Sequence, residues 1–245
     1  MTSDTDPSSG REGQLTRRGL LHVGAGLVVT GCASSEGEPP ERAGHGPEHA
    51  GAHHDLRRRA EVLDDPARDD WQRPREVVVA LAVGEGMVVV DVGAGTGYFE
   101  VHLSRAVGPR GRVLALEVDP RLVTHMQQRF ATAGLANVEA RLVGLDDPEL
   151  GAGTVDRVLV VDTWHHLTDR VAYARRLRQA LAPGGLLAVV DYPTDARRGP
   201  PQELRLSEQA VLAELGAAGF AARVVAESLP DQYVVLGEVP AGAGR

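Results

Sequence analysis

MVVVDVGAGTGYF, Met87 to Phe99, sets an almost wholly apolar run against a loop with glycine at alternate positions. The run reads as a buried central strand, because a strand covered on both faces needs apolar side chains at successive positions. Gly93, Gly95 and Gly97 let the backbone turn sharply and approach a ligand, and a helix starting behind them offers free N–H groups. The loop is GxGxG. The GxGxxG fingerprint of dinucleotide-binding loops needs glycine where Tyr98 stands.

Outward from this loop the same alternation repeats. RVLALEV (Arg112 to Val118), VEARLV (Val138 to Val143), DRVLVV (Asp156 to Val161) and LLAVVD (Leu186 to Asp191) read as further buried strands. Between them Phe99 to Val107, Pro120 to Ala133 and Arg170 to Leu181 carry apolar residues near helical spacing, with Asp169 placed to cap the last of these and Pro183 to Gly185 to end it. Strand and helix in alternation predict βαβ units and a parallel sheet. Ser207 is a plausible N-cap for a helix through Leu215, and the strands AARVVAE (Ala221 to Glu227) and QYVVLGEV (Gln232 to Val239) follow it. The connection SLPD is so short that these two must form an antiparallel hairpin. The predicted fold is α/β: a doubly wound, seven-stranded sheet, mostly parallel, with an antiparallel C-terminal hairpin.

Glu117 stands at the carboxyl end of the second strand, where an acidic side chain can accept hydrogen bonds from a ribose diol, and Asp119 is expected on the same edge. Loop and acid together point to a nucleoside-bearing cofactor.

VVVDVGAGTGYF, LEVDP, VDRVLVVDTWHHL, LAPGGLLAVVDY and the AAGF-plus-hairpin ending, in this order over about Asp70 to Val239, resemble class I S-adenosylmethionine-dependent methyltransferases. Within that superfamily they are most similar to the group containing the ubiquinone and menaquinone biosynthesis C-methyltransferases. The resemblance implies a Rossmann-like fold, S-adenosylmethionine as cofactor and a small-molecule methyl acceptor. It implies that Asp91, Gly93, Ala94, Gly95, Thr96 and Gly97 hold the methionine and ribose side of the cofactor, and Glu117 the ribose hydroxyls. The acidic residue that these relatives often carry past the third strand aligns with Gly144. Asp146, ranked ahead of Asp147, is the substitute contact for adenine; the alternative is an exposed loop before Pro148.

DTWHHL (Asp162 to Leu167) follows the fourth strand, where donor and acceptor should meet. The resemblance places His165 and His166 at a family position, with Asp162 and Trp164 shaping the pocket. An imidazole there can orient or deprotonate an acceptor; the alternative is that one of the pair caps backbone at the next helix. Trp71 is expected either to close over the site or to pack in the core. Methyl transfer from a sulfonium rests largely on holding donor and acceptor in line, so the acceptor is not written in these residues.

Composition narrows the field. All 26 cationic residues are Arg, which excludes a Schiff-base lysine, a pyridoxal phosphate enzyme and a Walker-type loop. The net charge of -8 argues against nucleic acid as a partner. The fourth strand lacks the NPPY-like turn of base and glutamine methyltransferases, and arsenite methyltransferases need several cysteines. Protein-isoaspartate methyltransferases share a similar glycine loop, but their downstream motifs are not visible in this sequence. Two other readings remain: an anchored cofactor-binding or metal-binding module with little catalysis, and a protein carboxyl methyltransferase. Oligomeric state is not indicated.

Cys32 is the only cysteine. Arg17 and Arg18 precede an apolar run, Gly19 to Val29, too short to span a bilayer, so residues 1–31 read as an export signal. TRRGLLH resembles a twin-arginine signal, and VTGC resembles a bacterial lipobox with Val in place of its usual Leu. The resemblance implies a lipid on Cys32 and a protein anchored on the outer side of a bacterial membrane. Residues 32–55 then form a tether too polar to bury a core, and 56–245 the methyltransferase domain. His45, His49, His53 and His54 lie in that tether, where Gly44, Gly46, Pro47 and Gly51 favour a solvated linker over a metal-binding helix face. No metal site is expected in the domain. Because the cofactor is made in the cytosol, the expected export implies delivery of a folded domain with cofactor already bound.

Overall fold

The computed structural model describes residues 63–226 and 229–240. The chain divides into two units, Met1–Gly46 and Pro47–Arg245, and the described residues belong to the second. The expectations for Cys32 and for the histidines of the tether lie outside the described residues.

Two short helices, α1 (Arg68–Gln72) and α2 (Pro74–Ala80), precede the sheet. Arg73 breaks the chain between them in the left-handed region, and Pro74 starts α2 where its missing N–H costs nothing. Then follow β1 (Val88–Val92), α3 (Glu100–Val107), β2 (Arg112–Glu117), α4 (Pro120–Ala133), β3 (Val138–Leu142), β4 (Val155–Val161), α5 (Arg170–Ala180) and β5 (Leu181–Asp191). A 3-10 turn, Trp164–His166, joins β4 towards α5. The chain closes with α6 (Glu208–Ala217), β6 (Ala221–Val225) and β7 (Tyr233–Glu238).

The seven strands lie in the order β3-β2-β1-β4-β5-β7-β6. The first five are parallel, and β7 inserts between β5 and β6, antiparallel to both. This is the predicted architecture. The order reverses between β1 and β4, and in an open parallel sheet a ligand binds beyond the carboxyl ends of the strands at such a reversal.

The caps read from sequence, Asp169 and Ser207, are in place and accept from the backbone N–H groups of Ala172 and Ala210, and Asp119, expected at the ribose edge, caps α4 by accepting from Arg121 N. One face of the sheet packs Leu177, Val211 and Leu215 against Val158, Val160 and Val189, and the other packs Val77, Leu81 and Leu103 against Val89, Val113 and Leu159.

Three expectations need correction. β3 is a half-buried edge strand, with Glu139 paired to Arg112 and Arg141 along it; charge on an edge discourages further strand pairing. Helix α5 ends at Ala180, before Pro183 to Gly185, and β5 already begins at Leu181. Leu181 pairs with Val155, the register then shifts, and regular pairing resumes at Leu186 with Arg157; a proline without an N–H cannot keep the ladder through that stretch. Trp164 is in the core against Tyr173 and Leu177 rather than in a pocket wall, and its indole N–H donates to Glu214 at 2.8 Å.

Candidate active site

The glycine loop sits at the reversal. Gly93, Gly95 and Gly97 adopt φ of 74°, 61° and 83°, which side-chain-bearing residues rarely tolerate. The N–H groups of Gly93 and Ala94 donate to Leu116 O at 2.9 and 3.0 Å, fastening the loop to the end of β2. A Cβ on Gly93 would lie 2.3 Å from Thr163 Oγ1, and one on Gly97 would lie 2.6 Å from the Phe130 ring. The loop is therefore clamped by the ends of β2 and β4 and by α4. Gly95 differs, since a Cβ there would meet only Leu63 Cδ1, at 3.5 Å.

Glu117 reaches back to this loop. Its Oε2 accepts from Gly95 N at 3.0 Å, and its Oε1 accepts from Val118 N and Asp119 N at 2.8 and 3.1 Å. A carboxylate has about four acceptor sites, so three backbone bonds leave capacity for a ligand hydroxyl. Asp119 is committed to capping α4 and to Arg121.

The segment ahead of α1 lies against the same loop. Asp64 accepts from Thr96 Oγ1 at 2.8 Å and from the Arg129 guanidinium, which also donates to Thr96 O at 3.3 Å. Arg68 is buried, donates to Leu63 O at 2.7 Å and to Gln72, and stacks 4.1 Å above the Tyr98 ring. Its charge faces Asp91 and Asp162, two carboxyls that burial pushes up to about 7 despite it. Glu100, the first residue of α3, is fully buried beside Asp91 and is held well above the usual carboxylate range by burial and by that neighbour.

Past β4, Asp162 adopts φ of 52°, an uncommon conformation for a residue other than glycine. Gln72 from α1 donates to its Oδ2 at 3.4 Å and Gln232, just before β7, donates to its Oδ1. The two amides also bond each other at 3.1 Å. His165 is buried, its Nδ1 3.0 Å from both carboxylate oxygens of Asp191 at the end of β5, and the exposed His166 ring lies 4.1 Å from the His165 ring. In the neutral tautomer that donates Nδ1–H to Asp191, Nε2 carries the lone pair. Tyr192 follows Asp191; its ring is 6.4 Å from Trp71, which carries the Arg198 guanidinium 4.8 Å above it. Helix capping falls to Asp169 rather than to either histidine.

The structure thus gathers Asp91, Gly93 to Gly97 and Glu117 at one end of the reversal and Asp162 and His165 at the other. Asp146 is not brought to the loop. It is exposed and lines a 330 Å³ cleft with Leu145, Leu167, Thr168, Tyr173 and Arg176, which contains no glycine-loop residue. A larger cavity, about 880 Å³, lies by Gly108 to Arg112 and Gly134 to Glu139, at the amino ends of β2 and β3. Sequence reasoning missed Asp191, although an acid ending an apolar strand could have revealed it. It also missed Arg68, Gln72, Glu100 and Gln232. Gln72 and Gln232 are 160 positions apart and carry no local signal.

This geometry fits S-adenosylmethionine: an open glycine at Gly95, an acid joined to it, and buried carboxyls suited to a cationic ligand. The family model for a methyltransferase domain matches residues 89–185. A crystal structure of an S-adenosylmethionine-dependent methyltransferase from Aquifex aeolicus is 32% identical, with a TM-score of 0.71 over 76% of this chain and 98% of that one. The chain belongs to the S-adenosylmethionine-dependent methyltransferases. It is 27% identical to a ubiquinone/menaquinone biosynthesis C-methyltransferase from Shewanella frigidimarina, over 51% of this chain and 49% of that protein. It is 32% identical to an uncharacterized methyltransferase from Mycobacterium bovis, over 45% of this chain and 53% of that protein. The chain spans about half the length of these curated relatives.

Proposed function

We propose that the chain transfers the methyl group of S-adenosylmethionine to a small-molecule acceptor, with the donor at the glycine loop and the acceptor at the Asp162 and His165 end of the same reversal. The observation that carries this reading is the bond from Gly95 N to Glu117, which joins the open glycine to the acid expected to receive the ribose. Bound there, the cofactor supplies a methyl group on a sulfonium sulfur, open to in-line displacement.

Asp91 and the loop amides flank the methionine end, and Arg68 supplies a buried cation for its carboxylate. His165, oriented by Asp191, accepts a proton from an acceptor that must lose one, while Asp162 and its two glutamine partners shape the pocket wall. Trp71, half-buried and backed by the buried Tyr192 ring, offers aromatic surface for a planar ring. A quinone-like acceptor is the class to test first, in keeping with the name of the Shewanella frigidimarina relative. The acidic charge supports a small molecule over nucleic acid.

Calorimetric titration of the chain with S-adenosylmethionine and S-adenosylhomocysteine tests the donor site, and a methyl-release screen over phenols, quinols and amines tests the acceptor. Micromolar binding that Glu117→Ala weakens is the supporting result. A folded protein that binds neither compound refutes the reading.

The N-terminal sequence supports export and a lipid on Cys32, placing the domain on the outer face of a bacterial membrane. Metabolic labelling with palmitate checks this: label on the wild type and none on Cys32→Ala is expected.

A further inference from the structure

Asp91 and Glu100 are both buried, and each carboxyl acts on the other. Asp91 ends the first strand's apolar run and Glu100 opens the helix behind the loop, so the loop's turn brings the two acids to one place. Neither Glu100 oxygen has a hydrogen-bond partner among the described residues. Two carboxylates cannot both ionise in such a place without a compensating cation, and one shared proton converts their repulsion into a hydrogen bond.

The surrounding charges do not remove this need. Arg68 on α1 and Glu117 on β2 face Asp91 with opposite signs, and Arg129 on α4 faces Glu100. Arg68 faces two buried carboxyls, Asp91 and Asp162, with one charge, and Arg129 is paired with Asp64. In the free protein the pair therefore keeps a proton, and a ligand bringing positive charge to the loop is the natural substitute for it.

We propose that the Asp91–Glu100 pair holds one proton in the free protein and releases it when the positively charged methionine end of the cofactor binds beside the glycine loop. This rests on the reading of that loop as the cofactor site. The pair then does more than tolerate the cofactor: it links affinity to pH and favours the sulfonium form. S-adenosylhomocysteine lacks the sulfonium charge and displaces the proton less, so its affinity depends less steeply on pH than that of the fresh cofactor.

The test is calorimetric titration of the full chain in buffers of different ionisation enthalpy, which reads the protons released per cofactor bound. Wild type is expected to release more protons with S-adenosylmethionine than Glu100→Gln does, and more than it releases with S-adenosylhomocysteine. Titration of the cofactor's own amino group is common to both proteins and cancels in their comparison. Wild-type affinity for S-adenosylmethionine should weaken up to about tenfold per pH unit below neutrality, with a flatter dependence in Glu100→Gln. The variant should melt no lower than wild type at neutral pH, because the introduced amide can donate to Asp91 without a shared proton. If it does not fold, Glu100→Met, which fills similar space without a titrating group, provides the comparison. Equal proton release by a folded variant and wild type, both binding cofactor, overturns the proposal alone. Failure of wild type to bind overturns the cofactor-site reading and the proposal with it.

Discussion

His165 and Asp191 meet beyond the carboxyl ends of β4 and β5, with Nδ1 3.0 Å from each carboxylate oxygen and both side chains buried. Asp191 also accepts from Tyr192 N at 2.8 Å, so its carboxylate is fixed from two directions and can in turn fix the imidazole. For an acceptor that must lose a proton, Asp191→Asn should lower kcat by about 10² or more, with a smaller change in KM. The check is a pH profile of both constants. The low-pH limb of the wild-type profile, where a general base becomes protonated, should shift in the variant, which simple loss of packing would not produce.

The loop glycines divide by what surrounds them. Gly97→Ala should destabilise the protein, because φ of 83° and a contact of 2.6 Å with the Phe130 ring both oppose a side chain. Gly95→Ala should fold with a cost of about 1–2 kcal/mol from its φ, yet lose most cofactor affinity, because its added methyl points into the open side of the loop. Melting temperature and calorimetric affinity, measured on both variants, separate the effects.

Glu117→Gln replaces a carboxylate that serves three backbone N–H groups with an amide that has one acceptor oxygen. Leaving a buried donor unpaired costs about 1–3 kcal/mol, so the melting temperature should fall. Affinity for S-adenosylmethionine should fall at least tenfold. A binding loss without any stability loss would mean that the backbone bonds do not hold the loop.

The Asp162 carboxyl is pushed from 3.8 up to about 7 by burial, a rise that Arg68 opposes and Asp191 adds to. Its folded form binds the proton more tightly than its unfolded form. The stabilisation this gives is complete below about pH 4 and is lost as pH rises through about 7, at up to about 1.4 kcal/mol per pH unit. Asp162→Asn removes the titration. Subtracting its stability curve from that of wild type should leave a difference that falls with pH over this window and is flat above it.

Much of the scaffold is legible in local sequence because it follows from local rules. Val89, Val90 and Val92 read as a buried strand since a strand covered on both faces has no polar side, and Asp169 and Ser207 read as caps since an oxygen at that position satisfies an orphan N–H. Pro183 to Gly185 misled, because a helix-breaking signal does not distinguish a turn from an irregular strand; pairing of Leu181 with Val155 decides that. Trp164 likewise sits beside a site motif in sequence and beneath it in space.

What the sequence determined by itself was the order of strands and helices, the glycine loop and the acid placed to meet it, because each is fixed by residues close along the chain. Only the tertiary structure decided which carboxyls share a buried space. His165 with Asp191, and Asp162 between Gln72 and Gln232, are partners made by strand order and helix docking, while Asp91 and Glu100, close along the chain, meet across the turn of the glycine loop. Their protonation and orientation depend on how much water the surrounding elements exclude, and no spacing along a single chain records that.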